Sequence, residues 1–106
     1  VLNITIGPHV VSSLRHYTNM VFDVHLMVSQ PDRYLSDFIG AGANILTVHA
    51  EACAHLHRTL GAIRDQGIRA GVALNPATPP QAVEYVLGLV DLVLVMTTPV
   101  SQDRDL

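Results

Sequence analysis

Four short apolar runs recur at an almost constant interval, and this regularity constrains the fold more than any other feature of the sequence. The runs cover residues 21–28, 44–50, 69–75 and 92–97, so successive runs start 23 to 25 residues apart. Each run has the length of a β-strand and is rich in Val, Ile, Leu or Thr. The pattern predicts repeated strand–helix units, and therefore parallel strands joined by right-handed crossovers.

The segments between and before these runs have helical spacing. The predicted helices cover residues 7–16, 29–40, 52–66 and 78–90. In the second helix, Ser29 and Asp32 have the spacing of a capping pair around Pro31. In the fourth, Thr78 is the expected N-cap, with Gln81 three residues later. These assignments give a helix, three strand–helix units and a final strand.

The alternation within the runs separates the two architectures that use such units. In the first run, Asp23, His25 and Met27 alternate with apolar residues, so one face is apolar and the other carries polar groups. A strand buried on both faces of an open doubly wound sheet is almost continuously apolar. Polar groups near the carboxyl ends of strands are typical of the active-site end of a (β/α)₈ barrel, and no glycine-rich phosphate loop follows the first run. We therefore predict an α/β fold of the (β/α)₈ TIM barrel class.

Length and composition limit the other possibilities. A complete barrel takes roughly 200 residues or more, whereas this chain has 106, so residues 1–106 are expected to form a partial barrel domain of about half the strands. The two outermost predicted strands should then each have an unpaired edge, which favours a homo-oligomer. Six basic residues against nine acidic ones argue against nucleic-acid binding. No apolar window predicts a membrane span, no signal peptide is evident, and the lone Cys53 fits a cytoplasmic protein.

Several segments, in this order and spacing, resemble the ribulose-phosphate 3-epimerase family. They are NITIGP at residues 3–8, FDVHLMV at 22–28, AGAN at 41–44, GVALNPATP at 71–79 and LVMT at 94–97. The resemblance implies a (β/α)₈ barrel of which the third to sixth strands are present. It also implies an isomerase that interconverts D-ribulose 5-phosphate and D-xylulose 5-phosphate in the pentose phosphate pathway, with a divalent metal ion, commonly zinc.

The same resemblance assigns roles to individual residues. His25 matches a metal-binding histidine that also contacts the substrate, and Met27 and Met96 match methionines that line the substrate site. The family's other metal-binding histidine and its two catalytic aspartates match no position of this chain, so no catalytic residue is assigned and the chain alone is expected to be inactive. After Thr97 the sequence also departs from the family's Pro-Gly-Phe-Gly-Gly loop.

Further polar residues are expected near the site because they alternate onto the same strand face or follow a strand. These candidates for the pocket wall or for support of His25 are Asp23, His49, Glu51 and Asn75. A structural role is also open for each of them. His55 and His57 stand two apart on a predicted helix and therefore point in different directions, which argues against a metal site. Cys53 has no neighbours that suggest a nucleophile, so we expect it to be inert.

Two other interpretations remain open from the sequence. In the first, the chain belongs to an epimerase for another ketose phosphate, such as allulose 6-phosphate, which would share the fold, the metal and His25. Alternatively, it is a non-catalytic truncated barrel segment that self-associates. In all three cases Asp23, His25 and Met27 should face the barrel interior, while Val24 and Leu26 pack against helices.

Overall fold

The computed structural model describes residues 2–4, 7–26, 31–79 and 81–96, with the backbone alone described at 2–4. Within these ranges the strands are β1 (Leu2–Ile4), β2 (Phe22–Leu26), β3 (Ile45–His49), β4 (Arg69–Leu74) and β5 (Leu92–Val95). The helices are α1 (Pro8–Arg15), α2 (Leu35–Ala41), α3 (Leu56–Asp65) and α4 (Gln81–Glu84). Short 3₁₀ turns occupy Pro31–Arg33, Ala50–Ala52 and Leu87–Leu89. The predicted alternation of strands and helices is confirmed.

The described strands form one parallel sheet in the order β1-β2-β3-β4-β5. Every strand lies beside the next one in the chain, without the reversal of order that defines an open doubly wound sheet. Sequential order is the arrangement of a (β/α)₈ barrel. The predicted barrel-type α/β fold is therefore favoured by the topology as well as by the residue pattern.

The first strand, β1, was not predicted. Leu2–Ile4 pairs with β2 through the register Leu2↔Phe22, Asn3↔Asp23 and Ile4↔Val24. Three residues with a polar one in the middle are too short for a recognisable apolar run. The expectation that the 21–28 strand has a free outer edge is therefore wrong, because β1 occupies that edge. In the described sheet, β5 lies at the edge as expected.

The helix boundaries differ from the prediction where other turns or hydrogen bonds replace the expected first helical turn. The 52–66 helix begins only at Leu56, since a 3₁₀ turn and an extended Cys53 precede it. The 78–90 helix is reduced to α4 and a later 3₁₀ turn. Its expected N-cap, Thr78, donates its hydroxyl to Glu51 instead. The proposed Ser29 cap lies outside the described residues.

The core lies between the sheet and the helices. Val24 and Leu26 of β2 are buried there with residues such as Leu46, Leu60 and Val72, which confirms their predicted orientation. Because side chains alternate along a strand, the opposite face carries the polar residues of β2 and β3. No helix in the described ranges is long and apolar enough to span a membrane.

Candidate functional site

The polar face of the sheet begins with Asp23 and His25 on β2 and continues with Thr47 and His49 on β3. The register pairs His25 with Thr47 and His49 with Ala73 of β4. Because the paired residues of these parallel strands lie side by side, their side chains reach the same face of the sheet, toward the carboxyl ends of the strands. That end is where barrels of this class build their active sites.

Asp23 holds two of these side chains at once. Its Oδ2 lies 3.1 Å from His25 Nε2, and its Oδ1 accepts a hydrogen bond of 2.9 Å from the Thr47 hydroxyl. The Asp23 side chain is almost wholly buried, while 15% of the His25 side chain is exposed. The buried carboxylate is thus fully engaged, and the imidazole it holds reaches the accessible end of the face.

Gly71 of β4 makes room for this arrangement. It pairs with Thr47 in the sheet. A Cβ atom at Gly71 would approach Thr47 Oγ1 far more closely than van der Waals contact allows, and it would also lie 3.3 Å from Thr47 Cβ. The absence of a side chain at Gly71 therefore leaves free the space that the Thr47 hydroxyl occupies while it donates to Asp23.

His49 lies one layer further along the same face and is 8% exposed. Burial lowers the pKa of its imidazole below the ordinary value of 6.5. Repulsion by His25 acts in the same direction, and the Glu51 carboxylate opposes it. The backbone carbonyl of His49 accepts a hydrogen bond of 3.4 Å from the Cys53 thiol. His49 is accordingly a buried neighbour of the His25 site whose protonated form is disfavoured by burial.

Glu51 and Asn75 lie beyond the strand ends, in the loops that follow β3 and β4. The Glu51 carboxylate accepts hydrogen bonds from the Thr78 hydroxyl and, at 3.4 Å, from the Asn75 backbone N–H. It therefore ties one loop to the next and borders a cleft that reaches Tyr85. The structure brings Glu51 and Asn75 together but joins neither to His25 by a hydrogen bond in the described residues.

The structure describes one of the two methionines expected at the site, Met96. Met96 follows β5, is half-buried, and donates its backbone N–H to the Leu74 carbonyl at 2.9 Å. By continuation of the β4–β5 register it lies opposite Asn75 and on the polar face. Met27 lies outside the described residues. The lining role of both residues stays a prediction.

Among the described residues of the polar face, His25 is the one candidate for a metal ligand. In the part of the chain that the structure describes, no group of three or more His, Cys, Asp or Glu side chains could hold a metal ion. His25 uses only Nε2 in a hydrogen bond to the described residues, so Nδ1 is available. A closed zinc site takes four ligands, and these residues can supply one. His55 is the N-cap residue of α3 and His57 lies within that helix, and the expectation that they form no metal site stays a prediction.

Thr47, Gly71 and Thr78 are the contributors that the sequence analysis missed. Thr47 alternates onto the same face as His49, so its position could be predicted, but its hydrogen bond joins residues 24 apart in the chain. The need for Gly71 follows from the β3–β4 register, which single-sequence patterns specify poorly. The sequence predicts Thr78 as a helix cap because its local spacing fits that role as well.

Comparison with known proteins identifies the relatives of this chain. Residues 1–103 match the ribulose-phosphate 3 epimerase family. The ribulose-phosphate 3-epimerase of Bacillus subtilis is 58% identical over 95 residues, which are 90% of this chain and 44% of that protein. The chloroplastic ribulose-5-phosphate-3-epimerase of Arabidopsis thaliana is 55% identical over 97 residues, or 34% of its length. The Escherichia coli K12 enzyme is 48% identical over 96 residues, or 43% of its length. The chain thus spans less than half of the length of these curated relatives, from 34% to 44%.

Proposed function

This chain belongs to the ribulose-phosphate 3-epimerase family, and we propose that the whole protein interconverts D-ribulose 5-phosphate and D-xylulose 5-phosphate. The observation that carries the proposal is the coincidence of two facts. Relatives with this name are 48% to 58% identical over 90% of the chain, and the matching segment FDVHLMV contains the Asp23–His25 pair of the polar face.

The reaction explains why a polar, partly buried face is useful. Inverting the carbon next to a ketone removes a proton from one side and returns a proton on the other, through an enediolate whose negative charge must be stabilised. We infer that His25, whose side chain is 15% exposed, would offer an imidazole nitrogen to the substrate or to a bound metal ion. The apolar core behind the strands excludes water from the back of the site.

We also propose a divalent metal ion, most consistent with zinc, as the cofactor. When bound, such an ion would stabilise the negative charge of the enediolate as a Lewis acid. His25 would be one ligand, because imidazole is a common zinc ligand and its Nδ1 is available. Met96 would line the substrate site, with Met27 assigned to the same role by resemblance alone.

The remaining proposals concern the metabolic pathway, the cellular compartment and the oligomeric state of the enzyme. With a phosphorylated ketopentose as its substrate, we propose that the enzyme works in the pentose phosphate pathway. A single cysteine in a chain of this length is compatible with the reducing cytoplasm, where we propose that the protein works. We propose that it does so as a homo-oligomer.

The test is turnover by the full-length protein. Purified enzyme should convert D-ribulose 5-phosphate to D-xylulose 5-phosphate in a coupled assay, and more efficiently, by kcat/KM, than it converts allulose 6-phosphate. A higher kcat/KM for allulose 6-phosphate would establish the rival substrate. No turnover of either sugar phosphate by folded, zinc-supplemented protein would contradict the proposed function.

A further inference from the structure

The hydrogen bond between Asp23 and His25 defines which imidazole nitrogen carries a proton. An ionised carboxylate can only accept hydrogen bonds. At 3.1 Å between Oδ2 and Nε2, the contact therefore requires the proton on Nε2. In a neutral imidazole the other nitrogen, Nδ1, is then an unprotonated acceptor.

The carboxylate is itself held on its second oxygen. Thr47 donates to Asp23 Oδ1 at 2.9 Å, and both side chains lie on adjacent, paired strands. Asp23 and Thr47 are 5% and 0% exposed, so water does not compete for these bonds. Gly71 keeps the space that Thr47 occupies. The result is a connected series, Thr47 to Asp23 to His25, built on the neighbouring strands β2 and β3 and given room by Gly71 on β4.

We propose that Asp23 is a positioning residue that fixes His25 in the Nε2–H tautomer, with Thr47 fixing Asp23, so that Nδ1 is presented as the ligand or acceptor atom. Carboxylates that orient metal-ligating histidines in this way are common supports of metal sites. The assignment of the tautomer rests on the geometry alone, whereas the statement that Nδ1 meets a cation rests on the proposed function.

Asp23→Asn tests the tautomer with little change of shape. The Thr47 hydroxyl needs an acceptor, which the amide oxygen of the new side chain provides at the Oδ1 position. The amide NH₂ group then faces His25 Nε2 and can only donate to it. Nε2 must become the acceptor, and the proton moves to Nδ1. In the variant, His25 Nδ1 should therefore carry a proton, whereas in the native protein the same atom is an unprotonated acceptor.

The experiment uses the full-length protein with ¹⁵N-labelled histidine, stripped of metal with a chelator and kept at a mildly alkaline pH at which imidazole is neutral. The ¹⁵N shifts of His25 should report Nε2–H in the native protein and Nδ1–H in Asp23→Asn. Zinc ion alone, titrated against a chromophoric chelator, should bind about 10- to 100-fold more weakly to Asp23→Asn. Asp37→Asn, an exposed position on α2, is the matched control and should change neither measurement.

The outcomes distinguish the two proposals. An Nδ1–H tautomer in the native protein, or an unchanged tautomer in a folded Asp23→Asn variant, would overturn the positioning role even if turnover were normal. If the tautomer differs between the native protein and Asp23→Asn as expected, but the native protein binds no zinc, the positioning role is upheld and the proposed metal is contradicted. If Asp23→Asn does not fold, Thr47→Val provides the test, and broadened or mixed His25 tautomer signals are then expected.

Discussion

At the scale of single residues, Arg15 makes the largest set of contacts described in the fold. Its guanidinium lies 3.8 Å from the centroid of the Phe22 ring. It also donates to acceptors in two separate loops, namely the Thr18 carbonyl at 3.3 Å, the Met20 carbonyl at 2.8 Å, the Gly42 carbonyl at 2.6 Å and Asn44 Oδ1 at 2.6 Å. Arg15 therefore joins the end of α1 to the starts of β2 and β3.

Arg15→Lys should lower the free energy of unfolding by about 1–3 kcal/mol, because an ammonium group cannot reproduce the planar fork of donors or the stacking on Phe22. Urea unfolding would measure the change. Arg58→Lys at an exposed position of α3 is the control and should have an effect below about 0.5 kcal/mol. Equal unfolding midpoints for the two variants would show that the Arg15 contacts contribute little.

Cys53 should react slowly with alkylating reagents. Burial and the negative charge of Asp32 raise the pKa of its thiol from 9.0 to about 11, although a hydrogen bond with Thr59 opposes this shift. Near pH 8 the thiolate is then roughly a hundredfold scarcer than in the unfolded chain, and iodoacetamide should react correspondingly more slowly with folded protein. Because the folded-state pKa is the higher one, this group favours the fold below about pH 9 and loses that contribution as the pH rises toward 11. Equal alkylation rates with and without denaturant would contradict the assignment.

At the scale of elements, the strand faces could be predicted from sequence and several element ends could not. Alternation is a local property, so the opposite orientations of Val24 and His25 follow from the residue order. The bond between Thr78 and Glu51 joins residues 27 apart and overrides a local capping pattern. Likewise β1 is a strand because β2 offers it a partner, and its own residues carry little information.

Gly71→Ala should destabilise the sheet and disturb the His25 site. The added methyl group meets Thr47 of the neighbouring strand, and overpacking of this kind costs about 1–3 kcal/mol. Gly61→Ala is a control that should raise stability instead of lowering it. At Gly61, within α3, a Cβ atom would meet nothing within 4 Å in the described chain, so Ala should stabilise the helix by about 0.5–1 kcal/mol. Thermal unfolding of the two variants would check this, and a Gly71→Ala variant as stable as Gly61→Ala would contradict the predicted collision.

At the scale of the whole molecule, the edge strand β5 leaves apolar surface uncovered. Val93 and Val95 are 42% and 62% exposed, although they pair with the buried Val72 and Leu74. Tyr85 and Leu87, in the segment that precedes β5 in the chain, are 63% and 50% exposed. In the described sheet this edge also presents unpaired backbone N–H and C=O groups, which recruit other chains.

The 106-residue polypeptide should therefore self-associate and show no epimerase activity on its own. Val95→Lys should shift it toward smaller species, because a lysine on an edge strand opposes strand pairing. Tyr17→Lys adds the same charge at a residue that is 86% exposed outside the sheet and serves as the control. Light scattering would measure both, and a monodisperse native monomer would show that the β5 edge does not drive association.

The most direct test of the proposed function follows hydrogen exchange at the carbon that is inverted. Full-length protein incubated with D-xylulose 5-phosphate in D₂O should incorporate deuterium at C3, as observed by proton NMR. His25→Asn should slow this exchange at least about a hundredfold, while the exposed α3 variant His57→Asn should exchange at the native rate. Native-rate exchange in a folded His25→Asn protein would contradict the assignment of His25 to the reacting site.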